Sequence, residues 1–161
     1  MKAAIIMGSD SDWPVLKPAV DILRDFGIEA VVEVASAHRT PDKVRSIAEG
    51  AREKGIGVFI VAAGAAAHLA GVVASYTTLP VIGVPINATP LNGMDALLST
   101  VQMPSGIPVA TMAVNGAKNA AIFAVEIFAA ANEDMAEKLK EYRAKMRADV
   151  DKKAARVAAQ L

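Results

Sequence analysis

Short apolar runs alternate with helix-like segments along most of the chain, and this alternation limits the possible folds more than any other feature. The first run, 3–7, is apolar without interruption, which is typical of a parallel strand buried on both faces. Four further runs follow, separated by segments with helical periodicity, at 28–35, 58–62, 81–84 and 109–114. Strands separated by helices predict an α/β fold of flavodoxin-like type. Its form would be a three-layer sandwich with a five-stranded parallel sheet and right-handed crossovers.

The chain length and the C-terminal segments complete this expectation. A chain of 161 residues has the usual size of one domain, so we expect a single domain over 1–161, with 133–161 as a C-terminal helical extension. Apolar residues three or four apart give that helix a narrow seam, made of Met135, Leu139, Tyr142, Met146 and Val150. The preceding segment, 117–131, is apolar on nearly every side, which predicts that another subunit covers it.

The composition excludes several classes of function. Seventeen basic and seventeen acidic residues cancel, so no general attraction to nucleic acid or to an anionic membrane is expected. The absence of cysteine excludes disulfides, thiolate nucleophiles and cysteine zinc sites. Residues 56–75 carry no formal charge and imitate a membrane span, but a glycine break favours a buried strand followed by a buried helix. The N-terminal apolar run is too short for a signal peptide, and we expect a cytoplasmic protein.

The candidate site lies at one edge of the predicted sheet. In open parallel sheets, ligands bind at the carboxyl ends of the strands. The loops after the first three strands carry polar, titratable or glycine residues at those ends. They are Ser9, Ser11 and Asp12 in the first loop, Ser36, His38 and Arg39 in the second, and Gly64 and His68 in the third. Both histidines of the chain fall at this edge, which random placement would rarely produce.

The second loop combines a proton carrier with an anion clamp. His38 supplies an imidazole, the side chain best suited to carry protons under physiological conditions, and the neighbouring Arg39 carries a fixed positive charge. Thr40 as N-cap and Pro41 as first helical residue predict that a helix starts directly after this loop. A structural histidine, hydrogen-bonded at a strand end, is the alternative for His38. The adjacent arginine and the strand-end position favour acid/base work.

The first loop can present hydroxyls and backbone N–H groups to a phosphate at a helix N-terminus. A carboxylate beside a phosphate is repulsive, so Asp12 is better suited to ribose hydroxyls. Ser9, Ser11 and Arg39 remain for the phosphate. Helix capping is the alternative role of Ser11 or Asp12, and for His68 we expect pocket lining or capping rather than catalysis. Two histidines without nearby carboxylates make a poor metal site, and no G-x-S-x-G elbow supports a serine hydrolase.

Four short motifs follow one another along the chain. They are MGSDSDW at 7–13, SAHRTP at 36–41, HL at 68–69 followed by Gly71, and QMPSGIPV at 102–109. In this order they resemble the class I N5-carboxyaminoimidazole ribonucleotide mutases of de novo purine synthesis. The resemblance covers essentially the whole chain, and four ordered motifs are far more specific than any one alone.

The resemblance implies an activity and roles for individual residues. The family moves a carboxylate from the exocyclic nitrogen of an aminoimidazole ribonucleotide to a ring carbon, without a metal, ATP or an organic cofactor. Ser9, Asp12 and Arg39 match its substrate-binding positions, and His38 matches its general acid/base. The family forms homo-octamers, which would cover the apolar segment at 117–131.

A single imidazole can carry out both proton transfers that this reaction requires. Loss of CO2 requires a proton on the substrate nitrogen, and recarboxylation requires the ring carbon to lose one. One imidazole with a pKa near ~6.5 can do both in turn. The CO2 must also be retained, which predicts a small, dry, apolar chamber formed by the alanine- and glycine-rich third loop.

The chain departs from the family pattern at two positions. The family usually has glycine where this chain has Ala65, and proline where it has Ala70. A positive φ at Ala65 would strain the backbone by on the order of 1 kcal/mol. Both positions lie where the chamber is expected, so we expect an effect on turnover even if the fold is unchanged.

Two alternative functions stay open from the sequence. A class II-like carboxylase adds CO2 directly to aminoimidazole ribonucleotide, but those relatives typically have lysine in place of Arg39 and lack the 68–69 stretch. A non-catalytic flavodoxin-like nucleotide-binding module is the second alternative. A receiver module would need an aspartate after the third strand, where this chain has 62–64 as Ala-Ala-Gly.

Overall fold

A computed structural model of the protein describes residues 1–160 and confirms the predicted α/β sandwich. The strands are β1 (Lys2–Met7), β2 (Glu29–Val34), β3 (Ile56–Gly64), β4 (Val81–Ile86) and β5 (Ala110–Thr111). The helices are α1 (Trp13–Asp25), α2 (Pro41–Glu49), α3 (Leu69–Tyr76), α4 (Met94–Val101), α5 (Ala117–Ala129) and α6 (Glu133–Ala158). All strand pairs are parallel, and the order β2-β1-β3-β4-β5 is the flavodoxin-like one.

Helices cover both faces of the sheet. Alternate residues of a strand point to opposite faces, so the apolar run in β1 serves two cores. Ala3, Ile5 and Met7 belong to the core under α1, α5 and the start of α6. Ala4 and Ile6 belong to the core under α2 and α3. The middle of the sheet is therefore fully buried, and its loop-bearing edges are the parts that reach solvent.

The uncharged stretch 56–75 folds as the sequence predicts. Its first part is β3, and its second part lies within α3. None of the helices within residues 1–160 combines the length and the apolarity that crossing a bilayer requires.

The fifth strand is shorter than predicted. The predicted strand 109–114 pairs with β4 only at Ala110 and Thr111. Pro85 of β4 has no N–H to extend the ladder, and the chain leaves the sheet through Asn115, which has a φ of 58°. The second helix ends at Glu49, and turns over 50–55 lead from it to β3.

The chain itself covers one face of the apolar helix for which the sequence predicts cover by another subunit. Helix α5 packs against α1, the sheet and α6 of its own chain. Ala120, Ala121, Ala124 and Val125 are fully buried. Alanine lets the neighbouring helix and sheet approach closely on this face. The larger apolar side chains of α5 are only partly buried within residues 1–160, so cover by another subunit stays a prediction; they are Ile122, Phe123, Ile127 and Phe128.

The C-terminal helix is confirmed, and its apolar seam has a buried first part and an exposed second part. Met135 and Leu139 are buried against the body, and Tyr142 packs on Phe26 with ring centroids 5.7 Å apart. Beyond Tyr142 the seam has no cover within residues 1–160, since Met146 and Val150 are 52% and 60% exposed. The last predicted residue of this helix, 161, lies outside the described residues.

Candidate active site

The first loop is held by its own serines. Gly8 N–H donates to the carbonyl of Ala62 at 3.1 Å, which fixes the start of the loop to β3. Ser9 Oγ accepts from the backbone N–H of Ser11 at 3.3 Å and caps a single 3-10 turn, Asp10–Asp12. Helix capping, the alternative role of Ser11 or Asp12, is not observed for α1, because Asp12 occupies the N-cap position but its side chain makes no capping hydrogen bond.

The second loop is closed by Thr40 and tied to the first by Arg39. Thr40 Oγ1 accepts from Ser36 N–H at 2.9 Å and donates to the Ser36 carbonyl at 3.1 Å. Thr40 thus occupies the predicted N-cap position of α2, but its side chain does not cap the helix. Arg39 donates from Nε to Ser36 Oγ at 3.4 Å and from Nη2 to the Gly8 carbonyl at 3.1 Å. The guanidinium therefore spans the two loops.

The third loop turns through a left-handed residue. Ala65 has a φ of 52°, so the condition for strain raised by the sequence is met. Ala67 N–H donates to Ser99 Oγ at 3.2 Å, which fastens the loop to α4. A side chain on Gly64 would bring its Cβ within 2.6 Å of the Ala88 Cβ, so the loop after β4 packs directly on the end of β3.

Ala70, the other departure from the family pattern, causes no comparable strain. It is buried in the first turn of α3, where proline and alanine both fit a helix. Gly71 follows at a close approach, since a Cβ there would lie 2.9 Å from the sulfur of Met103. This contact explains why the third and fourth sequence motifs belong together.

The two histidines meet although 30 residues separate them in the chain. Nε2 of His38 lies 2.9 Å from Nδ1 of His68, and the rings are nearly perpendicular at 84°, with centroids 5.0 Å apart. The predicted capping role of His68 is wrong, because its side chain makes no cap hydrogen bond at the start of α3. No sequence pattern indicated this contact, which depends on the left-handed turn between β3 and α3.

The three loops surround a cavity of about 330 Å³ at the carboxyl edge of the sheet. Seven of the eight predicted site residues line it, and these are Ser9, Ser11, Asp12, Ser36, His38, Arg39 and Gly64. His68 is not among the lining residues but stands against His38. Leu69 and Ala88 also line the cavity and were missed. The loop after β4 carries Ala88 and follows a strand, so the carboxyl-edge argument extends to it.

The cavity is not the sealed, dry chamber that the chemistry predicted. His38, Arg39 and Ser11 are exposed to solvent at its mouth, and so are Ala65 and Ala66. The loops lie at the carboxyl edge of the sheet, and within residues 1–160 these side chains stay open to solvent. The chain alone therefore forms an open groove with one alanine-rich wall.

Asp12 is the buried charge of the site, at 5% exposure. Burial raises the pKa of its carboxyl above the usual 3.8, and the nearby Asp10 charge adds to this effect. Hydrogen bonds at Ser9 and Ser11 act in the opposite direction and are weaker. Within residues 1–160, no group of three or more His, Asp or Glu side chains is placed to hold a metal ion.

Comparisons with known proteins agree on one family. A family model described as AIR carboxylase matches residues 2–149. An N5-carboxyaminoimidazole ribonucleotide mutase from Thermotoga maritima is 53% identical over 97% of this chain and 91% of its own length. One from Bacillus subtilis is 55% identical over 86% of this chain and 87% of its own length.

Solved structures give the same result. The crystal structure of Treponema denticola PurE superposes with a TM-score of 0.83 at 29% identity, over 94% of each chain. A PurE2 variant from the same organism gives a TM-score of 0.86 at 28% identity, over 96% of each chain.

Proposed function

The chain belongs to the AIR carboxylase family, and we propose that it is an N5-carboxyaminoimidazole ribonucleotide mutase. Such an isomerase converts N5-carboxyaminoimidazole ribonucleotide into 4-carboxy-5-aminoimidazole ribonucleotide. Relatives of that name at 53–56% identity, matched over most of this chain, carry the conclusion. The clustering of seven expected site residues around one cavity supports it independently.

The phosphate of the substrate binds between the first two loops in this proposal. Ser9 and Ser11 present hydroxyls there, and Arg39 supplies the positive charge. The Nη2 contact of Arg39 with the Gly8 carbonyl supports this role, because it holds the guanidinium against the loop that carries both serines. Asp12 accepts from ribose hydroxyls, which suits a buried acceptor at the base of the same loop.

His38 is the proton shuttle in the proposed mechanism. The carbamate C–N bond breaks, CO2 leaves, and the nitrogen takes a proton from the His38 imidazolium. The ring carbon then forms a bond to CO2, and its proton returns to the neutral imidazole. His38 lines the cavity beside Arg39, and its Nδ1 has no hydrogen-bond partner within residues 1–160. That nitrogen is therefore available to the substrate.

We further propose that the enzyme is a homo-oligomer, with the octamer of the family as the expected form. The open groove supports this, since retention of CO2 needs a cover that the single chain lacks. An unpartnered apolar stripe on α4 and the loop before it also supports this. Its members, 48–63% exposed, are Leu91, Met94, Leu98 and Val101. The cytoplasmic location stays a prediction from the sequence.

Two observations rank the alternatives lower. Arg39 occupies the position where a class II-like carboxylase typically has lysine. Those relatives also lack the 68–69 stretch, and in this protein His68 of that stretch contacts His38. A non-catalytic module gives no reason for two histidines to meet at a cavity lined by serines and an arginine.

Feeding each substrate separately tests the proposal. We expect purified protein to convert N5-carboxyaminoimidazole ribonucleotide in buffer without added bicarbonate or nucleoside triphosphate. It should leave aminoimidazole ribonucleotide unchanged at moderate bicarbonate. Faster conversion of aminoimidazole ribonucleotide with bicarbonate would favour the class II-like carboxylase. Binding of either compound without conversion would favour the non-catalytic module.

A further inference from the structure

The geometry points to His68 as a positioning residue for His38, a role that rests on the proposed mutase activity. The two ring nitrogens, 2.9 Å apart, form one hydrogen bond, so one of them donates and the other accepts. His68 holds the His38 ring in place and decides which His38 nitrogen carries the proton. It leaves Nδ1 of His38 to exchange protons with the substrate.

The direction of this hydrogen bond follows from the shuttle itself. His38 alternates between a neutral and a cationic ring, and the cation carries protons on both nitrogens. If His38 Nε2–H donates to His68 Nδ1, the same bond persists in both states, and only Nδ1 gains and loses a proton. If His68 Nδ1–H donated instead, protonation of His38 would set two donors against each other. Only the first direction is compatible with a complete cycle.

The backbone around His68 is fixed well enough to orient a partner. His68 N–H donates to the Ala66 carbonyl at 2.8 Å, and its own carbonyl accepts from Val72 N–H at 3.0 Å at the start of α3. The ring itself makes no helix-capping bond, so its hydrogen bond within residues 1–160 is the one with His38. A partner that fixes the tautomer and the ring angle of a working histidine commonly has a large effect on rate.

Two substitutions at this position separate positioning from simple packing. His68→Asn keeps an acceptor oxygen where Nδ1 stands, and His68→Leu keeps a similar volume without one. We expect His68→Leu to lower kcat by about 10- to 100-fold with KM within about twofold, by analogy with residues that orient metal-bound histidines. We expect His68→Asn to recover kcat to within a few-fold of the parent. Equal losses in both variants, a parental kcat in His68→Leu, or a change confined to KM would overturn the inference.

Nitrogen-15 NMR of the histidine rings gives a second readout that does not depend on turnover. The chain has only two histidines, so selective labelling yields a spectrum that the His38→Asn and His68→Asn variants assign. We expect coupling across the hydrogen bond between His38 Nε2 and His68 Nδ1, and its loss in His68→Leu.

These two readouts distinguish the inference from the activity on which it rests. Absence of the coupling in a folded parent would overturn the pairing even if the enzyme is active. A parent that shows the coupling but does not convert N5-carboxyaminoimidazole ribonucleotide would contradict the mutase proposal instead.

Discussion

At the scale of single residues, the buried charge of Asp12 lowers the stability of the folded protein and serves substrate binding in the proposed function. Its raised pKa means that, between 3.8 and the higher folded-state value, the folded protein binds more protons than the unfolded chain. Stability therefore falls as pH rises through this window, and the buried carboxylate costs stability at neutral pH. A residue whose charge disfavours folding is typical of a binding site, where the same charge acts on a ligand.

Asp12→Asn should accordingly stabilise the free protein at pH 7, because it removes the buried charge and keeps the shape of the side chain. Urea unfolding across a pH series would measure this, and the difference from the parent should shrink as pH falls toward 3.8. The KM for substrate should rise by roughly 10- to 100-fold, the usual effect of losing a charged hydrogen-bond acceptor. A pH-independent difference, or a parent more stable than the variant at pH 7, would refute this account of Asp12.

Ala65 carries backbone strain that glycine would remove. With a φ of 52° it lies in the left-handed region, at a cost of about 1–2 kcal/mol for an L-residue. Glycine also increases the entropy of the unfolded chain, which offsets about 0.4–1 kcal/mol of the gain. We expect Ala65→Gly to raise the free energy of unfolding by about 0.5–1 kcal/mol in urea titrations.

Ala66→Gly is the matched control for this change, because Ala66 is the next residue in the same loop and does not have a positive φ. It gains nothing from relief of strain, so it should lower the free energy of unfolding by about 0.5 kcal/mol. If both variants were destabilised to the same extent, the strain at Ala65 would be absent in solution.

At the scale of elements, the end of β3 and the loop after β4 form one packed unit. Gly64 allows this, since a Cβ there would lie 2.6 Å from the Ala88 Cβ and 3.3 Å from the Ile86 carbonyl oxygen. We expect Gly64→Ala to lower the free energy of unfolding by about 1–3 kcal/mol through overpacking. It should also slow turnover, because both residues line the cavity.

Adding Ala88→Gly to that variant tests the same contact directly. It removes the methyl group that the new side chain would meet, so the double variant should recover much of the lost stability. The two effects would then be clearly non-additive in a double-mutant cycle. Simple additivity would mean that the close approach to the Ile86 carbonyl oxygen, and not the one to Ala88, excludes a side chain at Gly64.

The sequence predicts the strands, the helices and the edge of the sheet that carries the site better than it predicts contacts between loops. The apolar run in β1 and the proline at the start of α2 predicted those elements because the signals are local. The carboxyl-edge rule brought seven site residues together because parallel strands end at a common edge. The His38–His68 contact was beyond reach, because it depends on the turn at Ala65 and joins residues 30 apart. The short β5 reflects Pro85 on the neighbouring strand.

At the scale of the whole molecule, uncovered apolar side chains remain on α4 and on the outer half of α6. Helix α4 follows the loop that carries Ala88, so a second copy packed there would lie next to the open groove. We expect sedimentation to give an assembly well above the 16.7 kDa of one chain. Leu98→Glu should shift it toward smaller species and lower activity together, because it places a charge in the interface.

Glu53→Lys is the matched control for that experiment, since it changes an exposed charge away from α4. It should leave both assembly and turnover at parental values. An unchanged assembly in Leu98→Glu would show that α4 does not face another copy, and the seam at Met146 and Val150 would be the next candidate.

In the proposed mechanism, one imidazole at the cavity carries the proton between nitrogen and carbon. The most direct measurement is the turnover of N5-carboxyaminoimidazole ribonucleotide by His38→Asn, with thermal unfolding as a check that the variant is folded. We expect kcat to fall by roughly 100- to 10,000-fold, the usual range for loss of a general acid/base, while the substrate still binds through the serines and Arg39. A folded His38→Asn protein that converts the substrate as fast as the parent would contradict the account.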